Sequence, residues 1–177
     1  RAPPATDHLI GLGHGRIGSI TGSDEYALSA DRLEGYRGAM SAAGLEDPAL
    51  VEKGDFTFRS GAEATGRLLT LDDPPTAIVA SSDQMSLAAM DTAKARGLNV
   101  PRDLSIVSFD DTPIVKFSTP PLTAIRQPIA PMTARAAELL IGANGGQSGP
   151  EIVQMLPFEL IVRGSTAAPR SLSTAGG

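Results

Sequence analysis

The segment Thr76–Phe109, TAIVASSDQMSLAAMDTAKARGLNVPRDLSIVSF, decides the fold. It opens on a short apolar run, Thr76–Ala80, rich in residues that favour β-strands, and it closes on a second such run, Leu104–Phe109. Between them a helix is predicted over Asp83–Arg96, because apolar residues recur at three- and four-residue steps and Gly97 follows as a stop. A strand, a helix and a strand in this order predict a βαβ unit with parallel strands.

The rest of the chain repeats this alternation. The predicted helices are Pro3–Leu12, Ser29–Ala43, Arg59–Leu71 and Pro131–Ile141, and the predicted strands are Ile17–Thr21, Val51–Thr57, Thr123–Gln127 and Met155–Arg163. Apolar strands that alternate with amphipathic helices predict an α/β fold, with a mostly parallel sheet and helices on both faces. The Gly-rich stretch Asn144–Pro150 is predicted to be a loop, and the low-complexity tail Ser165–Gly177 is predicted to be frayed.

The composition excludes several classes of function. The 177 residues carry 15 Lys and Arg against 20 Asp and Glu, a formal charge of −5, so the basic face that binds DNA is not expected. The absence of Cys excludes disulfides and thiolate metal sites, and the 2 His leave little material for a histidine site. Aromatic residues make up 4%, too few for a base-stacking platform. No apolar run approaches the roughly 18 residues of a membrane span.

A binding site is expected where the predicted strands end. In an open α/β sheet, ligands bind outside the carboxyl ends of the strands. The side chains that follow the parallel strands include Tyr26, Phe56, Ser81, Ser82, Asp83, Asp110, Asp111, Arg126, Gln127 and Ile129, and Arg32 reaches the same edge from the first turn of its helix. This mixture of charged, hydroxyl and apolar groups suits a hydroxyl-rich small molecule. It holds no His, and no nucleophile has a base at a readable spacing, so no catalytic residue is predicted.

Two glycine and histidine motifs have simple structural interpretations. Gly13-His14-Gly15-Arg16-Ile17-Gly18 has the letters GxGxxG of a dinucleotide fingerprint. That fingerprint must follow a strand and open a helix, whereas this segment follows a helix and precedes a strand, so a helix stop and a turn are predicted. His8 and His14 make a poor metal site by themselves, and surface or capping roles are predicted for both.

Three candidate site segments keep two interpretations each. Ser82 is either a helix N-cap or a ligand contact, and a cap serine can do both. Phe56 is either a core residue or an aromatic wall. One member of the pair Asp110-Asp111 is expected to cap a short helix or turn, while Asp110 is also a candidate ligand contact.

Several segments resemble the effector-binding region of the lactose/galactose-repressor (LacI/GalR) family of bacterial transcription regulators. They are HLIGLGHGRIGSITG (His8–Gly22), RLEGYRGAM (Arg32–Met40), GDFTFRSGAEA (Gly54–Ala64), TAIVASSDQMSLAAM (Thr76–Met90), GLNVPRDLSIVSFDDTPIVKFSTPPLTAIRQP (Gly97–Pro128) and FELIVRGST (Phe158–Thr166). The match runs in order along nearly the whole chain, and the block around VPRDLSIVSFDD and PPLTAIRQP is highly specific. The resemblance implies a Rossmann-like lobe similar to those of periplasmic sugar-binding proteins.

The resemblance also implies a division of the chain. Residues 3–125 would form the C-terminal lobe of a two-lobed effector domain, and 126–152 would hold the hinge crossings and a helix that belongs to the N-terminal lobe. Residues 153–166 would return as the last strand of the C-terminal lobe, before a disordered tail at 167–177. The helix-turn-helix and the start of the first lobe are not found in this sequence, so operator DNA would be bound only through a missing N-terminal domain.

Five residues match effector-binding positions of the family. Arg32 falls where an arginine hydrogen-bonds the effector, Asp110 where a carboxylate accepts from effector hydroxyls, and Phe56 where an aromatic residue lines the pocket. Ser82 stands where sugar-binding members often have Asn, and because Ser makes fewer hydrogen bonds the identity of the effector is left open. Ile129 falls where some members place an aromatic residue, and its apolarity predicts a packing wall.

The function implied is the ligand-sensing domain of a cytoplasmic, homodimeric regulator. Its effector would be a sugar or similar small polar molecule, with no cofactor, metal or enzymatic activity. Bound between the lobes, the effector would stabilise one lobe arrangement and change the spacing of two DNA-binding heads. Candidates for the dimer contact are the segment Ile114–Phe117 and the helix Asp83–Met90. The alternatives are a periplasmic solute-binding protein of a sugar transporter and a small α/β enzyme, and the repressor-type motifs favour regulation.

Overall fold

The computed structural model describes residues 5–142 and 157–170, which contain a six-stranded sheet. Its strands are β1 (Ile17–Thr21), β2 (Val51–Lys53), β3 (Ala77–Ala80), β4 (Ser105–Asp110), β5 (Thr123–Arg126) and β6 (Glu159–Ile161). They lie in the order β2-β1-β3-β4-β5-β6, the first five are parallel, and β6 is antiparallel to β5. The predicted α/β fold with a mostly parallel sheet is therefore confirmed.

Helices cover both faces of this sheet. Those that pack on the sheet are α1 (Ala5–Gly11), α2 (Ala27–Ala42), α3 (Phe58–Leu68) and α4 (Asp83–Ala95), and a further helix, α5 (Ile129–Gly142), follows β5. The helices α1 and α2 pack on one face through Leu9, Tyr36 and Met40, and α3 and α4 pack on the other through a separate apolar cluster. Alternate residues of β3 serve the two clusters, with Ile78 in one and Val79 in the other, as a strand buried on both faces requires. In the described part of the chain, no helix has the length and apolarity that a membrane crossing needs.

The strand after Val51 is shorter than predicted. It ends at Lys53, and the prediction that it runs to Thr57 is wrong. The backbone N–H of Gly54 donates to the carbonyl of Thr21 at 3.0 Å, a ladder bond of the parallel pair Thr21 and Lys53 at the end of the strand. The carboxylate of Asp55 then accepts from the backbone N–H of Thr57 at 2.9 Å, so the segment closes into a turn before α3.

Smaller differences affect the ends of other elements. The first residue of α2 is Ala27, so Arg32 lies in its second turn rather than its first. The helix α3 ends at Leu68 rather than Leu71. The helix α5 begins at Ile129, which makes Pro131 its third residue rather than its first. The predicted loop Asn144–Pro150 lies outside the described residues, as do the first two residues of the predicted last strand.

The segment after β6 is held against the body of the domain. Ser165 is fully buried, and its hydroxyl accepts from the N–H of Thr123 at 2.8 Å and donates to the carbonyl of Ile106 at 2.6 Å. The imidazole of His14 bonds the carbonyl of Ala167 at 2.8 Å and the hydroxyl of Thr76 at 2.8 Å. The prediction of a frayed tail is therefore wrong for residues 165–170, and the surface or capping role predicted for His14 is wrong because the side chain is buried.

The pH dependence of stability follows from this histidine. Burial lowers the pKa of His14 from 6.5, and the hydrogen bond to Ala167 opposes that shift. Because the unfolded chain then binds more protons than the folded one, the free energy of unfolding is expected to fall as the pH drops below about 6.5. Urea denaturation at neutral and mildly acidic pH measures this loss. The loss of stability at acidic pH should be smaller in His14→Gln, and an unchanged pH dependence in that variant would contradict the role given to His14. Burial also lowers the pKa of His8, which accounts for the part of the loss that remains.

A buried ion-pair cluster joins the ends of β4, β5 and β6. The carboxylate of Asp111 is fully buried, accepts from Arg126 Nε at 2.8 Å, and also pairs with the guanidinium of Arg163. Arg126 reaches Glu159 of β6 at 3.2 Å. The cap predicted for the Asp110-Asp111 pair is wrong, since the N-cap of the short 3₁₀ helix that follows, Pro113–Lys116, is Thr112. Asp111 instead links the last strands to the core.

Candidate functional site

A large cleft lies at the carboxyl edge of the sheet. It has a volume of about 1440 Å³ and opens where β1 and β3 lie side by side, the point at which the chain order reverses across the sheet. Its lining includes side chains from α2, from the last residue of β4 and from the segments after β1, β2, β3 and β5: Tyr26, Arg32, Phe56, Ser82, Asp110 and Gln127. Four of the five residues predicted for the site are therefore brought together.

Arg32 and Asp110, 78 residues apart in the chain, converge in this cleft. Arg32 Nη2 donates to Asp110 Oδ1 at 3.2 Å, and Arg32 Nη1 donates to the carbonyl of Ser81. The guanidinium carbon lies 4.5 Å from the centre of the Phe109 ring, within range of a cation–π contact. Burial lowers the pKa of Arg32, and the charge of Asp110 opposes that shift. The arginine is thus oriented on three sides before any ligand arrives.

The two oxygens of the Asp110 carboxylate have different hydrogen-bond partners. Its Oδ1 accepts from Arg32 and from Gln127 Nε2, whereas no hydrogen bond to Oδ2 is found among residues 5–142 and 157–170. The side chain is 33% exposed, against 13% for Arg32. Asp110 can therefore accept a further hydrogen bond from a hydroxyl or amine of a ligand, with its geometry already set by two donors.

Backbone strain is concentrated at this edge of the sheet. In the described part of the chain, three non-glycine residues have a positive φ: Phe56 at 71°, Asp110 at 100° and Asp111 at 57°. Such conformations cost on the order of 1–3 kcal/mol each and persist where the surrounding structure fixes them, often at ligand sites. Two of the three strained residues, Phe56 and Asp110, line the cleft, so the strained backbone is associated with the placement of their side chains there.

Ser82 has the capping role that its position indicates. Its hydroxyl accepts from the backbone N–H of Met85 at 3.3 Å and so caps α4. The neighbouring Asp83 is buried, and its carboxylate accepts from the hydroxyl of Ser108 and, at 2.6 Å, from the backbone N–H of Thr112. Burial raises the pKa of Asp83, and these hydrogen bonds oppose that shift. Among the described residues no acceptor is found for the hydroxyl hydrogen of Ser82, and Ser82 lines the cleft.

Two aromatic residues form one wall of the cleft. Phe56 lies in the turn after β2, and its ring meets the ring of Tyr26 edge-on, with centroids 5.7 Å apart. Tyr26 is the N-cap residue of α2 and lies in the segment that joins β1 to that helix. An aromatic edge of this kind offers an apolar surface to one side of a ligand.

Ile129 is the predicted site residue that the structure does not bring into the cleft. It is 56% exposed at the start of α5, while Met132 of the same helix and Phe158, just before β6, contribute apolar surface to the cleft. Its role as a packing wall stays a prediction. The sequence predicts no specific role for Phe109 or Tyr26. Phe109 has the pattern of a buried strand residue, and Tyr26 stands out only because it follows β1.

Within residues 5–142 and 157–170, no group of three or more His, Asp or Glu side chains is arranged to hold a metal ion.

Comparison with known proteins identifies the class. A periplasmic-binding-protein-like domain matches residues 6–166. The chain is 43% identical over 165 residues to the HTH-type transcriptional repressor CytR of Escherichia coli K12, covering 93% of this chain and 48% of that protein. The chain therefore belongs to the family of periplasmic-binding-protein-like domains.

Solved structures point to one group within that family. The chain is similar to a transcriptional regulator CelR–cellobiose complex, with a TM-score of 0.87 and 38% identity over 92% of this chain and 50% of that one. It is also similar to a dimeric Lac repressor, with a TM-score of 0.86 and 32% identity over 93% of this chain and 60% of that one. These relatives are LacI-family regulators, which confirms the resemblance seen in the sequence. The chain spans about half the length of the curated relatives it matches.

Proposed function

We propose that the cleft binds a small polar effector and that the chain is the effector-sensing part of a transcriptional regulator. The observation that carries this proposal is the convergence of Arg32, Asp110 and Gln127 at the sheet edge, with an accepting carboxylate oxygen left over. The names of the relatives support regulation rather than solute transport or catalysis, and they support a cytoplasmic location.

The effector is a neutral sugar in this proposal. Among the described residues, the cleft is lined by the acidic side chains of Asp31, Glu34, Asp55, Asp83 and Asp110, against the single guanidinium of Arg32, which is already paired. An anionic ligand such as a sugar phosphate would meet this negative charge, whereas neutral hydroxyls can donate to the carboxylates. The solved CelR–cellobiose complex of a relative agrees with this class.

A thermal-shift and calorimetric screen of sugars and nucleobases tests the proposal on the full-length protein, with cellobiose as the first probe. A ligand that binds only the folded state stabilises it by about 2.7 kcal/mol at a concentration of a hundred times its Kd. At least one neutral sugar should therefore raise the Tm clearly. A screen in which no sugar or nucleobase changes the Tm would contradict the proposal.

The helix α5 is proposed to pack against a second lobe. Its apolar residues are exposed in this chain, with Leu140 at 72% and Ile141 at 73%, although an exposed helix of a globular protein normally presents polar side chains. This exposure supports the division in which residues 3–125 and 153–166 form the C-terminal lobe and 126–152 carry crossings and a helix of the N-terminal lobe. An effector held between the lobes would favour one arrangement, and DNA would be bound by a helix-turn-helix outside this chain.

A homodimer contact is proposed to include the segment Pro113–Lys116, Phe117 after it, and the start of α4. Phe117 is 83% exposed and Ile114 is 59% exposed, which is unusual for neighbouring large apolar residues. Phe117→Glu should therefore weaken dimerisation of the full-length protein in sedimentation experiments. Phe58→Glu, which changes an exposed aromatic residue on α3, is the matched control, and equal sedimentation of the two variants would contradict the assignment.

A further inference from the structure

Gly22 lies against the tip of the Phe56 ring, and the fit depends on the absence of a side chain at this position. Gly22 directly follows β1 and is buried. A Cβ atom here would lie 1.9 Å from Phe56 Cζ, 2.3 Å from Cε1 and 2.5 Å from Cε2. The tip of the ring therefore occupies the volume that any other residue would fill with its side chain. Gly22 does not have a positive φ, so this glycine is required for space rather than for backbone conformation.

The backbone of the turn holds Phe56 in this place. Its φ of 71° is in the left-handed region, which bulky residues rarely adopt. The turn is fixed at both ends, because the N–H of Gly54 donates to Thr21 at 3.0 Å and the N–H of Asp55 donates to the hydroxyl of Ser60 at 3.0 Å. The backbone conformation of Phe56 thus directs its ring toward the end of β1, where Gly22 has no side chain to obstruct it.

We propose that Gly22 is a positioning residue that sets where the aromatic wall of Tyr26 and Phe56 stands, and so which ligands fit the cleft. The inference rests on the proposed function, because it takes the cleft to be the effector site. With a methyl group at position 22, the tip of the ring must retreat by about 1.5 Å before the nearest contact reaches 3.4 Å. Binding groups need to be held within about 0.5 Å of their working geometry, so this displacement changes the ligand preference.

The atoms in conflict lie at the far end of a side chain that can turn. Gly22→Ala is therefore expected to move the ring while leaving the sheet in place, since β1 is paired on both sides with β2 and β3. This separates a positioning role from a purely structural one. A structural role would appear as a loss of folding with the ring unaffected in the remaining folded fraction.

Fluorine NMR of the chain labelled with 2-fluorophenylalanine, which keeps the fluorine off the ring tip that meets Gly22, measures the ring directly. The 5 phenylalanines give separate resonances, and Phe56→Leu identifies the one in question. Gly22→Ala should shift the Phe56 resonance, and Gly11→Ala, where a Cβ meets nothing within 4 Å, should shift none of them. An unmoved Phe56 resonance in Gly22→Ala would overturn the proposal. Should Gly22→Ala fail to fold, combining it with Phe56→Ala must restore folding, and a double variant that also fails would overturn it.

Cellobiose binding to the full-length protein adds the functional readout. Gly22→Ala and Phe56→Ala should each weaken binding by about threefold to tenfold, the value of one aromatic contact. The double variant should lose no more than Phe56→Ala alone, because both changes remove the same wall; losses that multiply would overturn the role of Gly22. If the unchanged protein does not bind cellobiose, the sugar assigned under the proposed function fails, while the Phe56 resonance still decides the role of Gly22.

Discussion

Replacing Asp111 by alanine is expected to lower the free energy of unfolding by about 3 kcal/mol, because it leaves a largely buried arginine without its partner. The Asp111 carboxylate is fully buried between Arg126 and Arg163, and Arg163 is only 14% exposed. Removing one member of a buried pair costs more than the pair itself contributes, since the remaining charge has lost its water. The expected loss lies at the lower end of the usual range, because Arg126 is 43% exposed and can regain water.

Urea denaturation followed by circular dichroism measures this effect. Asp111→Asn keeps the shape of the side chain and removes its charge. If the ion pairs are responsible, this variant should lose most of the free energy of unfolding that Asp111→Ala loses. If side-chain volume is responsible, it should lose little. The matched control is Glu63→Ala in α3, which breaks the exposed pair with Arg59 and should leave stability nearly unchanged. Equal stability of Asp111→Ala and Glu63→Ala would show that the buried cluster has no such role.

Asp110→Asn and Arg32→Ala are each expected to weaken effector binding by about tenfold to a hundredfold. Hydrogen bonds to charged groups contribute about 1.5–3 kcal/mol, and both residues are oriented in the cleft before a ligand arrives. The effect of Arg32→Ala includes an indirect part, because it also removes one of the two donors that fix Asp110 Oδ1.

Isothermal titration calorimetry with the sugar found by the screen tests both variants, and circular dichroism verifies that they fold. Asp91→Asn, an exposed carboxylate on α4 outside the cleft, is the control for the general loss of one negative charge. Unchanged affinity in Asp110→Asn and Arg32→Ala would refute the site assignment while leaving the fold and the family untouched.

The fold could be predicted in large part because its strands are short, apolar and bounded by turn residues. The bounds of β1, Ile17–Thr21, are those that the sequence predicts. The second strand was predicted too long because Phe56 and Thr57 favour strands locally, whereas the Asp55 carboxylate and the positive φ of Phe56 close the chain into a turn. Composition also misjudged the tail, since the burial of Ser165 depends on partners about 40 and 60 residues away.

The candidate site could be predicted in outline because the carboxyl ends of parallel strands share one edge, and the family resemblance selected Arg32 and Asp110 within it. The period of two along β4 predicts Phe109 as a core residue and gives no sign that its ring also supports Arg32. The different roles of Asp110 and Asp111 could not be predicted for a similar reason. Both residues have positive φ values, and one carboxylate lies in the cleft while the other lies in the core.

The antiparallel strand β6 makes the sheet discontinuous in sequence, because α5 stands between it and its partner β5. Its neighbourhood supplies Arg163 to Asp111 and the hydroxyl of Ser165 to the backbone of β5, so both groups lose a buried partner if the chain is cut after α5. Deletion or recombination of such a protein at a single breakpoint would separate a carboxylate from its counter-ion. Evolution by exchange of this sheet therefore requires two coordinated breakpoints, which favours its inheritance together with the segment between β5 and β6.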